Sequence, residues 1–413
     1  MEPVRLNAVV FGGGAAGLWI LDELARRGRS AVLLESSTLG DGQTIVSQGI
    51  IHSGLKYSLQ GILTNAAREA RDTIVTWREC FRGTGRPDLS GVEIRSECCY
   101  LWGTQSASSR IGMLGARIGL RSTPQLVPVE ERPAALRTCF GSVYRIDEQV
   151  LAPRSLLGAL AEPHRAAILR YGSPDHAAFD CPSPGAVRQL RLTADDGGAP
   201  VVLAPDFVIF AAGKGNAELR SRVGLDPTSM QLRPLHVALM RGAHLPEFHG
   251  HCIDGAKTRV TITSARDAKG TMVWQVAGNL AEDAVPLERD ALIRWAQQEV
   301  AATLPAVELR GTEWTTFRVD RAEGSTKAGA RPDSYVLLRE GNVLTTWPTK
   351  LVLVPPLAVA VGNLVSQSPA LPSPAASLWQ AWSPAAPAAT WWDRPQTWTP
   401  YADDVVAGSG AER

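Results

Sequence analysis

The stretch that most constrains this chain is Val9-Val10-Phe11-Gly12-Gly13-Gly14-Ala15-Ala16-Gly17. The apolar run Ala8 to Phe11 predicts a buried parallel strand, and it ends in Gly12-x-Gly14-x-x-Gly17. Leu18 to Arg27 follows, with Leu18, Leu21 and Leu24 on one helical face. A second apolar run, Ala31 to Leu34, stops at Glu35, eighteen residues beyond Gly17. Strand, glycine turn, helix, strand and terminal acid in this order predict a dinucleotide site. Gly12 permits the tight turn, Gly14 lets backbone approach a pyrophosphate, and Gly17 lets helix and strand pack closely. The pyrophosphate belongs at the positive helix N-terminus, beside Ala15 and Ala16. Glu35 is placed to accept hydrogen bonds from ribose hydroxyls.

With 413 residues the chain has room for two domains, and its 45% hydrophobic and 20% charged content is that of a globular protein. A formal net charge of +1 gives no broad attraction to nucleic acid or to a membrane. The six cysteines, Cys80, Cys98, Cys99, Cys139, Cys181 and Cys252, contain no CxxC pair and read as reduced thiols. Seven residues before the first strand are too few for a signal peptide, and no apolar run reaches membrane-spanning length. A cytoplasmic protein with at most peripheral membrane contact and no nucleic-acid partner is expected.

Beyond Glu35 a polar loop carries Thr44, Ser47 and Gln48 into Gly49-Ile50-Ile51-His52-Ser53-Gly54-Leu55-Lys56-Tyr57. Helices are predicted over 62–80, 109–120, 154–162 and 287–304, and a strand over 92–102. Asp206 to Gly213 is a further apolar strand ending in glycine, which returns the chain to the parallel sheet. Its Ala212-Gly213-Lys214-Gly215 lacks the third glycine of a second fingerprint. Residues 260–263 and 272–277 flank an Asp-Ala-Lys-Gly turn and predict a hairpin. Strands are expected over 335–338 and 343–346. The tail from 371 holds five of the twelve tryptophans, too many for a disordered linker, and is expected to lie against the body. His244, His249, His251 and Cys252 are the one cluster with a metal-like look. Their spacing matches no metal motif, the segment reads as a loop at a sheet corner, and no metal is expected.

The expected fold is therefore α/β: a Rossmann-like nucleotide domain interleaved with an α+β substrate domain built on an antiparallel sheet. Residues 1–80, 141–230 and 331–370 are assigned to the first, 81–140 and 231–330 to the second, and 371–413 to the tail. Such interleaving around a single fingerprint argues for a flavoprotein over a simple NAD dehydrogenase.

In these motifs the chain resembles the FAD-dependent oxidoreductases related to D-amino-acid oxidase. Within them it looks most like the branch of glycerol-3-phosphate dehydrogenase and L-2-hydroxyglutarate dehydrogenase. Ile50-Ile51-His52-Ser53-Gly54-Leu55-Lys56-Tyr57 is similar to that branch's Leu-Ile-His-Gly-Gly-Leu-Arg-Tyr, and Ala328-Gly329-Ala330-Arg331-Pro332 to its Ala-Gly-Val-Arg-Pro. Thr349-Lys350-Leu351 with Leu357-Ala358 is similar to its Gly-Lys-Leu-Thr-Thr-Tyr-Arg-x-Leu-Ala run. Trp347-Pro348 stand where that run carries glycines. Pro355 and Pro356 then belong in the first turn of the closing helix.

The resemblance implies FAD as cofactor, held by Gly12, Gly14, Ala15, Ala16, Gly17, Glu35 and Ser36. Further contacts are implied from Thr44, Ser47, Gln48, Gly49 and Ile51, from Ala212 and Gly213, and from Lys350 and Leu351. It also implies oxidation of a small anionic hydroxy compound, a 2-hydroxy acid or one like glycerol phosphate, by hydride transfer to flavin N5. Oxidation of an amine or amino acid, or flavin binding with decayed catalysis, are the alternatives. His52 is the candidate for meeting the substrate's proton, and Arg331 and Lys56 for gripping its carboxylate or phosphate. Lys350 is the candidate for neutralising charge at the flavin's N1–C2=O edge. With no evident NAD(P) domain, electrons are expected to leave to oxygen, a quinone or a protein carrier.

Overall fold

The computed structural model describes residues 2–52, 65–104, 124–193, 200–255, 257–327, 329–374, 376–379 and 382–402. Lys56 and the helix expected over 109–120 lie outside them.

Two sheets organise the described residues. The first has eight strands, and its main path runs Val336–Glu340, Val343–Trp347, Val201–Phe210, Val4–Phe11, Ala31–Glu35, Ile168–Arg170. Val4–Phe11 lies parallel to both Val201–Phe210 and Ala31–Glu35, so the strands that end at Gly12, Ala212 and Glu35 finish side by side. Val343–Trp347 joins the same parallel set against Val201–Phe210. Ligands in such sheets bind at the carboxyl ends of the strands, which is where Gly12, Ala212 and Glu35 lie.

Continuous apolar runs form the central strands because both faces are covered. One face packs Ala8, Val10, Leu33 and Leu344 against the helices Ala15–Arg26 and Val354–Val365. On the other, Val9, Phe11, Val208 and Phe210 lie over Leu190, Tyr171, Trp379 and Trp382. Pro355 and Pro356 stand in the first turn of Val354–Val365, where no intrahelical partner awaits their missing N–H.

Nine strands build the second sheet, in the order Thr399–Pro400, Glu313–Gly324, Met230–Arg241, Met272–Ala277, Lys257–Arg266, Gly250–Asp254, Cys99–Gly103, Val143–Ile146, Gln125–Val127. The hairpin expected at 267–270 joins Lys257–Arg266 to Met272–Ala277. Helix Arg289–Thr303 covers one face through Leu292, Ile293, Ala296 and Val300. One pairing departs from the antiparallel expectation: Gly250–Asp254 runs parallel to Cys99–Gly103. These strands come from segments separated by most of the nucleotide sheet, so no hairpin dictates their relative direction. The strand expected over 92–102 is two, Ile94–Ser96 and Cys99–Gly103, and Ile94–Ser96 pairs instead with Val150–Leu151.

The tail touches both sheets. Trp379 and Trp382 are buried against the first, Trp392 is buried in a cluster with Phe317 of the second, and Thr399–Pro400 supplies an edge strand. Ala388 N–H donates to Leu39 O at 3.0 Å, while Leu39 N–H donates to Ala386 O at 2.8 Å. All six cysteines are free. No helix among the described residues is long and apolar enough to cross a membrane.

Candidate active site

The glycine turn is built for close approach. Gly12 has φ +102°, and a Cβ there would lie 2.6 Å from Ala211 O and from Ala212 Cα. A Cβ on Gly17 would collide with Gly12 O, so helix and strand share that space. Gly14 is the helix N-cap and offers no side-chain cap, which leaves the positive helix end to a ligand. Thr44 Oγ1 reaches the same turn and accepts from Ala15 N–H at 3.2 Å. Ala212 sits beside Gly12, with its N–H bound to Asn216 Oδ1 at 2.8 Å, and Gly213 follows at φ +58°.

Glu35 closes the cradle. Gly13 N–H donates to its Oε2 at 2.7 Å, and Ser37 N–H to its Oε1 at 3.0 Å, with Ser36 Oγ 3.4 Å from the same Oε1. Burial raises the Glu35 carboxyl above its ordinary value, and these N–H donors pull partly the other way.

The loop after Thr44 ties the two sheets together. Gln48 Nε2 donates towards Thr261 O and Gln275 O at 3.3 Å each, and Gln275 Nε2 returns a bond to Val46 O at 2.8 Å. Gly49, at φ +69°, faces Leu151 with no room for a Cβ, and Ile51 N–H donates to Gln149 O at 2.9 Å. Ser47 Oγ is buried without a hydrogen-bond partner. A turn whose Gly12 and Gly17 admit no Cβ, a helix N-terminus whose N-cap Gly14 supplies no side-chain cap, and an orphaned buried hydroxyl fit a dinucleotide of FAD's kind.

His52 follows directly. Its Nδ1 lies 3.4 Å from Glu148 Oε2, and His251 Nε2 lies 3.3 Å from the same oxygen. His251 Nδ1 is 3.0 Å from Thr261 Oγ1. Glu148 is fully buried, His251 is 2% exposed and the His52 side chain is 40% exposed. Burial on its own would raise the Glu148 carboxyl, but the two imidazoles outweigh it and hold it well below the usual carboxylate range.

This corrects the expectation of a corner loop at 244–252. His251 and Cys252 belong to the strand Gly250–Asp254, whose alternation sends them to opposite faces. Cys252 enters the core with Trp274 and Val260, while His251 turns to His52. His249 is held at Ser264, with its imidazole pushed down to about 4 by burial and by Arg95. His244 bonds Glu308 O. Of the four residues with a metal-like look, only His251 thus joins a set of potential ligands among the described residues, and it does so with His52 and Glu148. Residue types along the chain gave no sign of Glu148 and left His251 among the cluster at 244–252 with no role, and the alternation of a strand at 250–254 is the signal that separates it.

Arg331 stands in a charged cluster on another part of the second sheet. Arg233 and Arg321 face each other in register across strands Met230–Arg241 and Glu313–Gly324. Like charges directly opposite are unfavourable, and two acids offset them. Arg321 Nη1 meets Glu282 Oε1 at 2.8 Å, and Arg233 Nη1 meets both oxygens of Glu323 at 3.2 Å. Arg331 is the third guanidinium in this company, and its Nε is buried with no hydrogen-bond partner. Burial and the neighbouring Arg321 lower its proton affinity. Ala322, between Arg321 and Glu323, donates its N–H to Gln43 Oε1 at 3.0 Å, which brings the cluster next to the loop from the fingerprint.

Trp347 ends its strand fully buried, with its indole Nε1 lacking a partner. Thr349 follows at φ +62°, a left-handed conformation that favours glycine, and its Oγ1 donates to Ser334 O at 3.0 Å. The backbone therefore keeps a glycine-like turn that this sequence fills with threonine. Lys350 and half-buried Leu351 come next, at the entry to the short turn Leu351–Leu353.

Residues 7–352 match a family model described as FAD dependent oxidoreductase. Over 389 residues, 91% of this chain and 95% of the relative, the sequence is 36% identical to a probable FAD-dependent oxidoreductase of Pseudomonas aeruginosa. A crystal structure of an FAD-dependent oxidoreductase from that organism superposes with a TM-score of 0.80 at 32% identity, covering 95% of this chain and 99% of that one. Glycine oxidase from Geobacillus kaustophilus shares the fold at TM-score 0.61 and 17% identity, over 89% of this chain and 96% of its own. L-amino acid deaminase from Proteus vulgaris does so at 0.60 and 13%, over 91% and 93%.

Proposed function

The chain belongs to the FAD-dependent oxidoreductase family, and we propose that it oxidises a small organic anion at a carbon bearing a hydroxyl group. The observation that carries this reading is Arg331. Its buried Nε lacks a partner, and among the described residues the guanidinium groups of Arg233, Arg321 and Arg331 meet the carboxylates of Glu282 and Glu323 there. Arg331 is half-buried, but an Nε shut away from water without a partner is costly unless a ligand completes it, and a carboxylate or phosphate answers a guanidinium in bidentate fashion.

FAD, when bound, supplies the acceptor for the substrate's hydride. The protein's part is orientation and proton handling. Arg331 fixes the anionic end of the substrate, and His52 receives the proton of the hydroxyl as the carbon–hydrogen bond breaks. Glu35, Thr44 and the Gly12–Gly17 turn anchor the nucleotide far from the reacting carbon. Lys350 places positive charge beside the flavin, and Lys56 assists with the anion. Oxygen, a quinone or a protein carrier takes the electrons on.

A second reading, oxidation of an amine or amino acid, draws on the same anchor, because an amino acid also presents a carboxylate. Glycine oxidase and L-amino acid deaminase among the fold relatives favour it about as much. Anaerobic mixing of the yellow holoprotein with hydroxy acids, glycerol phosphates and amino acids separates the two by which compound bleaches the flavin. Bleaching by dithionite with none from any substrate would overturn both and leave a flavin-binding protein with decayed catalysis.

A further inference from the structure

We propose that Glu148 is the positioning residue of His52, fixing its ring orientation and tautomer, and that His251 holds the Glu148 carboxylate in place for that task. The inference rests on His52 as the group that meets the substrate's proton, and it adds what makes that group competent.

Glu148 Oε2 is shared by two imidazoles, His52 Nδ1 at 3.4 Å and His251 Nε2 at 3.3 Å. An ionised carboxylate only accepts, so each ring nitrogen facing it must donate. His52 is thereby written as the Nδ1–H tautomer, with its lone pair on Nε2. Of the three side chains, His52 is the one with substantial exposure, at 40% against 0% and 2%. The basic nitrogen is thus carried by the member of the cluster that a substrate can reach.

His251 faces Glu148 with Nε2 and Thr261 Oγ1 with Nδ1 at 3.0 Å, and Thr261 can donate or accept as the ring requires. It is locked between two buried partners and is itself only 2% exposed. Among the described residues the fully buried Cys99 also faces Glu148, and its thiol is pushed well up by burial and by the Glu148 charge. Cys99 stays a neutral thiol, so the negative charge of this pocket resides on Glu148. When the substrate's hydride leaves to FAD with its two electrons, the hydroxyl or amine proton passes to His52 Nε2. The imidazolium so formed keeps Nδ1–H against the carboxylate, and no further proton needs to move.

The test uses FAD-loaded enzyme labelled with 15N-histidine, with the His52 signals assigned through His52→Asn. Wild type should show His52 as the Nδ1–H tautomer, and Glu148→Gln should shift it towards Nε2–H. With a substrate that bleaches the flavin, Glu148→Gln should lower kcat by about tenfold or more with little change in KM. Its acid limb in the pH profile of kcat/KM should move to lower pH, because the imidazolium loses its carboxylate. His251→Gln should cause a smaller loss in the same direction and, if Glu148→Gln proves too unstable to purify, provides the same two readouts. A wild-type His52 in the Nε2–H form, or a tautomer unchanged in both variants, would overturn the proposal. One equivalent of co-purified metal that disappears in Glu148→Gln would also overturn it, since the nitrogen would then hold an ion in place of a proton. Should His52→Asn reduce its flavin at the wild-type rate, the proton role of His52 falls, while the tautomer measurement still decides what Glu148 does.

Discussion

Glu35 and Gly13 are joined directly: the acid that ends the second strand accepts the N–H from the middle of the glycine turn at 2.7 Å. The carboxylate proposed for the ribose therefore also fastens the turn proposed to receive the pyrophosphate. Glu35→Ala should weaken FAD by about 10- to 100-fold, the range for losing a hydrogen bond to a charged group. Fluorescence titration of the apoprotein with FAD measures it, and wild-type affinity in the variant would remove Glu35 from the cofactor site.

Gly17→Ala should be worse than Glu35→Ala, since its methyl would strike Gly12 O and push the helix off the strand. Overpacking of this kind costs about 1–3 kcal/mol or more, and here it also destroys the cradle. The variant should purify colourless, with a lowered urea midpoint. A yellow protein of normal stability would contradict the packing described.

Arg331→Ala should retain FAD and lose about 100-fold in kcat/KM if, as proposed, the residue holds the substrate's anionic end and takes no part in holding the nucleotide. Arg331→Lys should recover little of this, since an ammonium lacks the bidentate fork. Flavin content and steady-state rates on the same preparations separate the two functions. Equal loss of flavin in Arg331→Ala and Glu35→Ala would argue against the anion role.

Glu148 should leave its mark on acid stability. Its folded carboxyl is held well below the ordinary value, so below about pH 4.3, where the unfolded glutamate takes up a proton, the unfolded state binds more protons than the native state. The stabilisation is present in full above that pH and is lost progressively as pH falls towards the folded value. Urea midpoints followed from pH 7 to pH 3 should drop more steeply in wild type than in Glu148→Gln. Parallel curves would show that the native carboxyl is not depressed.

Tail packing is testable through Trp382, which is buried against the first sheet near Trp379. Trp382→Ala should destabilise the protein by about 3 kcal/mol, as for other large aromatic truncations. Equilibrium urea unfolding measures it. A change below about 0.5 kcal/mol, typical of surface substitutions, would mean the tail is not part of the core.

The nucleotide cradle was legible because its information is local: Gly12, Gly14, Gly17 and Glu35 lie within one strand–helix–strand unit. The prolines of the closing helix were legible for the same reason, since Pro355 and Pro356 fit one turn alone. Glu148 was not. It is an unremarkable acid 96 residues from His52 and 103 from His251. Strands Val143–Ile146 and Gly250–Asp254 bring it to His251 by flanking Cys99–Gly103, and the pairing of Ile50 and Ile51 with Val150 and Gln149 brings it to His52. Arg331 could be picked out by its motif, but the charge excess around it depends on Arg233 and Arg321 being in register, which no local pattern encodes.

The bonds of Asn7 have a consequence for how the tail and the glycine turn share their stability. Asn7, fully buried in the opening strand, donates to Pro369 O at 2.8 Å and accepts from Leu371 N–H at 2.9 Å, and Leu39 is paired with residues 386 and 388. The strand that leads into Gly12 and the loop beyond Glu35 are thus clasped by residues hundreds of positions further along the sequence. Loosening that clasp would expose a buried amide of the first strand, so damage to the tail is felt at the glycine turn.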